Sequence, residues 1–175
     1  MKRRGRRGEH PVYGVGVDEL VIREAHEEDV ETLFGLILEL ADYERLSGEV
    51  SGDAETLRRS LFVERSAEAL LAEAQGEVVG YAIFCGTFST FECKGGLWIE
   101  DIYVRPESRR LGAGRALFAR TAALALERGL PRLEWAALDW NELALDFYDG
   151  LGASRLDEWR MLRLDGEALA ALGRP

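Results

Sequence analysis

The chain has 175 residues, 47% of them hydrophobic and 31% charged, which suits a globular domain with a buried core and argues against a disordered or fibrous chain. No apolar run approaches the roughly 20 residues that a membrane-spanning helix needs, and the charged Met1 to Arg7 stretch has no apolar segment behind it, so neither a membrane contact nor a secretory signal is expected. The formal net charge is -10 even though Lys2, Arg3, Arg4, Arg6 and Arg7 crowd the start of the chain; so acidic a body argues against nucleic acid as the main partner and is compatible with a cationic one.

Residues 1–18 read as a basic, disordered tail, and residues 19–175 as one domain without internal repeats or low-complexity linkers. Leu20-Val21-Ile22 is the first expected strand. Glu27, Glu28 and Asp29 then place acids where they complement the positive end of a helix. Val30, Leu33, Phe34, Leu36, Ile37, Leu40 and Ala41 keep helical spacing to about Tyr43. Ser47 to Asp53 is a turn-rich loop, and Ala54 to Phe62 a second helix. Strands follow at Ala69 to Ala74 and Val78 to Gly86, joined by a Gln75-Gly76-Glu77 hairpin turn. Thr87 to Gly96 reads as a polar, glycine-containing loop. Leu97 to Val104 is a strand of β-forming residues stopped by Pro106. Gly112 to Arg128 is a buried helix ended by Gly129. Leu133 to Leu138 is a strand, Glu142 to Leu151 a helix capped near Gly152, and Trp159 to Leu164 a final strand, with a short helix after Asp165. The order is that of an α/β or α+β domain with a mixed sheet. Cys85 and Cys93 have no metal-type spacing and read as reduced, structural thiols of a cytoplasmic protein; no metal site is expected.

The chemically informative segment is Arg109-Arg110-Leu111-Gly112-Ala113-Gly114-Arg115 between a strand and a helix. Glycines let backbone approach a ligand closely, and a helix N-terminus with unpaired N–H groups and partial positive charge is a site for pyrophosphate. Three arginines reverse the local charge of an otherwise acidic body. A P-loop would end in Gly-Lys-Ser/Thr, whereas Gly114 is followed by Arg115-Ala116; a dinucleotide fingerprint would put Gly or Ala where Leu117 stands. On the loop alone, a glycine-rich turn with exposed arginines stays open as an alternative.

The Arg-x-x-Gly-x-Gly pattern, together with Trp140-Asn141 and Phe147-Tyr148 further on, resembles the GNAT N-acetyltransferase superfamily over about residues 20–170. Within it the chain resembles the branch holding spermidine/spermine and thialysine N-acetyltransferases, on Glu39-Leu40-Ala41-Asp42-Tyr43-Glu44, Glu100-Asp101-Ile102-Tyr103-Val104, Asp139-Trp140-Asn141-Glu142, Gly152-Ala153 and Glu158-Trp159-Arg160. The resemblance implies a mixed, mostly antiparallel sheet flanked by helices, with its fourth and fifth strands splayed around acetyl-CoA. Pantetheine is then expected along the backbone of Ile102, Tyr103 and Val104, and the pyrophosphate on Arg109, Arg110, Leu111, Gly112, Ala113, Gly114 and Arg115. Asn141 and Ala144 line the other side of the cofactor. Tyr148 matches the tyrosine near the thioester sulfur, where a phenol protonates the departing thiolate; as a helical tyrosine it is otherwise a packing residue.

Glu100 and Asp101 are neighbours on a strand, so their side chains are expected on opposite faces, with flanking Trp98, Ile99, Ile102 and Val104 suggesting burial. A carboxylate there suits a general base or an amine holder, and Glu100 is preferred as base, directly or through water. Tyr43, Glu44 and Trp159 match positions that hold amine in the branch, and Glu134, Trp135 and Ala136 a substrate-facing stretch; each has a plain surface or packing alternative. His10 and His26 are poorly placed as bases. The resulting expectation is direct acetyl transfer to a primary amine of a small cationic substrate (a polyamine, diamine or thialysine-like amino acid) by a homodimer. A peptide or protein amine, and a non-catalytic acyl-CoA-binding module, are the alternatives; the physiological amine stays open.

Overall fold

In the computed structural model, residues 20–174 are described, so the basic tail expected over 1–18, with His10, lies outside the described residues. Five strands form one sheet in chain order: β1 (Val21–Glu24), β2 (Glu68–Ala74), β3 (Glu77–Ser89), β4 (Lys94–Val104) and β5 (Leu133–Trp135). The first three pairings are antiparallel and β4 with β5 is parallel. The β2–β3 turn has positive φ at both Gln75 and Gly76, the mirror-image turn whose twist matches a hairpin.

Helix α1 (Val30–Tyr43) follows a single 3-10 turn over Glu27–Asp29. Its Leu33, Leu36 and Leu40 recur at helical spacing and enter one core with Leu61, Leu71, Tyr81, Ile83 and Tyr103, each buried leucine contributing about 1.5–3 kcal/mol. The second helix, α2 (Ala54–Arg58), is capped by Asp53, which accepts from the Thr56 N–H, and continues as a π-type turn over Arg59–Val63. Helix α3 (Ala113–Glu127) buries Leu117, Phe118, Thr121, Leu124 and Ala125 and packs on β2, β3 and β4. The buried Thr121 hydroxyl donates to the Leu117 carbonyl at 2.9 Å, which satisfies it inside the helix.

Three expectations are corrected. The loop expected over Thr87 to Gly96 is strand: Phe88 pairs with Gly95 and Ser89 with Lys94, leaving a four-residue tip. Its glycines serve close approach, not a loop. A Cβ on Gly96 would meet Arg132 Cγ at 2.9 Å, and the neighbouring Leu97 N–H donates to Arg132 O at 3.1 Å. The strand expected to run to Leu138 stops at Trp135. No strand forms over 159–164; Trp159, Met161 and Leu162 are 69%, 72% and 92% exposed.

The chain divides into two compact units between Ala136 and Ala137. The first holds the sheet and α1 to α3. The second holds α4 (Glu142–Leu151), stopped by left-handed Gly152, and α5 (Gly166–Leu172). No helix among the described residues is long and apolar enough to cross a membrane.

Candidate active site

The register of β3 with β4 changes by one residue between Ile83 and Phe84: Ile83 faces Asp101 and Phe84 faces Ile99, so Glu100 is an extra residue in β4. That is a β-bulge, and it alters which side chains share a face. Directly opposed residues in an antiparallel pair lie on the same face. Tyr81, Ile83 and Cys85 alternate onto the α1 face of β3, and their partners Tyr103, Asp101 and Trp98 lie there with them. Counting on from Trp98, Glu100 reaches the same face, and the Trp98 indole N–H donates to Glu100 Oε2 at 2.9 Å. The expectation that Glu100 and Asp101 point to opposite faces is therefore corrected: the bulge puts both carboxylates on one side.

Their surroundings differ. Glu100 is exposed, contrary to the burial expected from its apolar neighbours, whereas Asp101 is half-buried. Burial first, then the charges of Glu100 and Glu44, pushes the Asp101 carboxyl up to about 6. Glu44, which follows α1, is also raised by burial. The thiol of half-buried Cys85 is raised by burial and by Glu100. Tyr81 is fully buried and raised by burial, then by Asp101 and Glu44; its hydroxyl has no hydrogen-bond partner among the described residues. The α1 face of the sheet beyond the bulge thus gathers the carboxylates of Glu44, Glu100 and Asp101.

The other edge of β4 is where the sheet opens. β5 pairs only with Leu97, Trp98 and Ile99, so from Glu100 through Ile102, Tyr103 and Val104 that edge has no partner strand among the described residues. A 3-10 segment, Pro106–Leu111, leads to Gly112 at φ 79°, and α3 begins at Ala113. Gly112 supplies no side-chain cap, so the first N–H groups of the helix, at Ala113, Gly114 and Arg115, point outward without intrahelical acceptors. A Cβ on Gly112 would meet nothing within 4 Å; the left-handed conformation, not crowding, is what favours glycine there. Arg109 is held in place: its Nε donates to Val104 O at 3.2 Å, and its guanidinium lies 4.8 Å from the Tyr43 ring centroid. Arg110, Leu111 and Arg115 are exposed.

Beside β5, Glu134 accepts from Arg132 Nε at 2.8 Å, Trp135 packs edge-on against Phe118 at 4.9 Å, and Ala136 is exposed. In the second unit, Asn141 caps α4 by accepting from the Ala144 N–H at 3.3 Å. Tyr148 is half-buried, with its ring 5.5 Å from that of Phe147. Trp159 is exposed. The unpaired Tyr81 hydroxyl is not legible in the sequence, because β-strand alternation reads Tyr81 as ordinary core.

The model of the acetyltransferase (GNAT) family matches residues 34–153. A thialysine N-epsilon-acetyltransferase of Bos taurus is 41% identical over 165 residues, covering 87% of this chain and 96% of the relative. An L-ornithine N5-acetyltransferase of Arabidopsis thaliana is 40% identical over 97 residues, 55% of this chain and 42% of that one. Among solved structures, an integron cassette protein from the mobile metagenome of V. cholerae superposes with a TM-score of 0.74 at 24% identity, over 89% of this chain and 98% of its own.

Proposed function

The chain belongs to the GNAT acetyltransferase family and is an N-acetyltransferase, and on that premise we propose that its acceptor is the side-chain primary amine of a small, thialysine-like amino acid. The observation that carries the reading is the face beyond the β4 bulge, where Glu44, Glu100 and Asp101 concentrate negative charge and no cation among the described residues is a cause of the Asp101 shift. A cationic amine offsets that charge when it binds. The names of the bovine and Arabidopsis relatives, which act on amino acids carrying a terminal amine, support the same choice.

The residues at the opening of the sheet fit acetyl-CoA. The unpaired β4 edge at Ile102, Tyr103 and Val104 offers strand hydrogen bonds to an amide-containing pantetheine arm. The uncapped α3 N-terminus at Gly112 to Arg115, flanked by Arg109 and Arg110, suits a pyrophosphate. Asn141 and Ala144 are proposed as further cofactor contacts on the resemblance of their segment. Bound acetyl-CoA supplies an activated thioester carbonyl. The chain's own groups manage protons. The ammonium gives a proton to a carboxylate, Asp101 or Glu100, and the neutral nitrogen forms its bond to the carbonyl carbon. The N–H of Ile102 donates to the developing oxyanion. As the C–S bond breaks, the Tyr148 phenol gives its proton to the thiolate, and the second proton of the attacking nitrogen passes through water to the phenolate, which leaves a neutral amide and restores the phenol. Asp101 suits the base because its carboxyl, at about 6, both accepts a proton near neutral pH and releases it again. Tyr43, Glu134, Trp135, Ala136 and Trp159 are proposed substrate contacts from sequence resemblance. A homodimer in the cytoplasm is part of the same proposal.

The test is acetyl-CoA consumption by the purified protein against thialysine, ornithine, spermidine and a lysine-containing peptide. The expected order puts the amino acids first. A preference for peptide would replace the reading with a protein-acetylating one, and inactivity on all four would refute it. In the same assay, Tyr148→Phe is expected to lower kcat about a hundred-fold with little change in the KM for acetyl-CoA.

A further inference from the structure

The stretch that leads from β4 to the glycine loop reaches back to one helix at two points. Arg105, which follows β4, forks onto the Glu39 carboxylate of α1 at 2.8 and 3.0 Å and donates to Val78 O at 3.2 Å. Arg109 places its guanidinium 4.8 Å from the centroid of the Tyr43 ring and donates from Nε to Val104 O at 3.2 Å. Glu39 and Tyr43 stand at i and i+4 in α1, so they lie one above the other on the same face. The two arginines are therefore successive rungs between that face and the connection to α3. The rungs differ in chemistry. Glu39 offsets the charge of Arg105 with a carboxylate, whereas Tyr43 offers Arg109 a neutral ring face, which fixes the guanidinium and leaves its positive charge in place. Apolar burial does not hold this stretch: within Pro106–Leu111 the buried residue is Ser108, and Leu111 is exposed. What sets the position of the loop ahead of Gly112 is thus its polar and ring contacts, and the one that reaches α1 from inside it is Arg109 on Tyr43.

We propose that Tyr43 is a positioning residue for the acetyl-CoA loop: its ring holds the Arg109 guanidinium, and through it the loop backbone, in the arrangement that receives the pyrophosphate. The inference rests on the reading that this loop binds acetyl-CoA, and it gives Tyr43, grouped above with the amine contacts on sequence resemblance, a task on the cofactor side. Backbone N–H groups bind an anion well only when they already point at one place. A loop released from α1 has to be ordered as the cofactor binds, and that ordering is subtracted from the affinity.

Calorimetric titration of CoA into the protein, with no amine present, tests it. Tyr43→Leu is expected to weaken CoA binding about ten-fold, and Tyr43→Phe, which keeps the ring face, less than about two-fold. Arg109→Lys keeps the charge but loses the planar group and its Nε–H, and is expected to bind CoA as weakly as Tyr43→Leu. Because the ring and the guanidinium act as one unit, adding Tyr43→Leu to Arg109→Met is expected to weaken CoA binding no further than Arg109→Met alone. Unchanged CoA affinity in Tyr43→Leu confines Tyr43 to the amine side and overturns the inference. Additive effects of the two changes overturn it as well, as does full CoA affinity in Arg109→Lys, which marks a point charge on phosphate. So does a melting temperature that falls together with CoA affinity in both Tyr43→Leu and Tyr43→Phe, which marks a packing residue. A wild-type protein that binds no CoA overturns this inference together with the reading beneath it, whereas wild-type and Tyr43→Leu proteins that bind CoA equally overturn this inference alone.

Discussion

Two clusters of acids in the first unit make opposite use of the same side chains. Near β1, Asp29 and Glu73 share Arg23: its guanidinium forks onto both Asp29 oxygens at 2.6 and 2.8 Å and reaches Glu73 Oε1 at 2.7 Å. The His26 N–H adds a further bond to Asp29 at 2.7 Å. Hydrogen bonding to Arg23 therefore holds the Asp29 carboxyl below the usual carboxylate range despite its burial. Glu39 repeats the pattern with Arg105 at 2.8 Å and is lowered for the same reason. At the β4 bulge, Asp101 has burial and two like charges acting on it and no such arginine among the described residues, and its carboxyl moves up instead. The compensated acids have their charge offset within the fold; the uncompensated ones are the groups whose charge the cationic substrate of the proposed function would offset.

The comparison breaks first at Arg23. Arg23→Met leaves Asp29 and Glu73 part-buried without their cation, and unfolding by urea is expected to show a loss of about 3 kcal/mol; an unchanged midpoint would mean that the arginine is incidental. Asp101→Asn is expected to act in the reverse direction. It removes a buried, raised carboxyl, so stability at pH 7 should rise, on the order of 2 kcal/mol, while kcat/KM for the amine falls about a hundred-fold. The sign follows from the folded-state carboxyl at about 6 lying above its unfolded value. The stability it contributes is present below about pH 4 and is lost as pH rises through about 6, so the wild-type stability curve should fall across that window and the variant's should stay flat. The acid limb of kcat/KM near pH 6 should disappear with it.

Glu44→Gln is a milder version of the same change. The KM for the amine is expected to rise several-fold with a stability gain of less than about 1 kcal/mol, since Glu44 is shifted by burial alone. The smallest expected effect is that of salt. If acidic groups steer a cationic substrate, its KM should rise a few-fold between low and high ionic strength, whereas the melting temperature should respond less, because the Arg23 cluster is hydrogen-bonded and part-buried. A salt-insensitive KM would point to a neutral or peptide substrate.

Much of this architecture was legible in the residues because it depends on local signals. The spacing of Val30, Leu33, Leu36 and Leu40 specified α1 and its buried face, the Gln75-Gly76 turn specified its hairpin, and Arg109 to Arg115 pointed to a glycine-broken helix start, where Gly112 is indeed left-handed. Tertiary contact decided the remainder. Gly95 and Gly96 read as loop punctuation until the 130–132 segment is seen lying against them. Trp159 to Leu164 alternates like a strand but pairs with nothing among the described residues, since a strand's existence depends on a partner edge and not on its own propensity.

The β4 bulge is the clearest division between the two kinds of information. The amino-acid sequence by itself determined that Glu100 and Asp101 stand together in an apolar strand and that an arginine-rich glycine loop follows. It did not determine which face each acid occupies, because strand period is a local property whereas register belongs to the pair of strands. One extra residue opposite the Ile83–Phe84 step brought both carboxylates to the α1 face. Only there does Asp101 come under the influence of Glu44 and Tyr81, groups 57 and 20 positions away in the chain that nothing short of the packed sheet brings together.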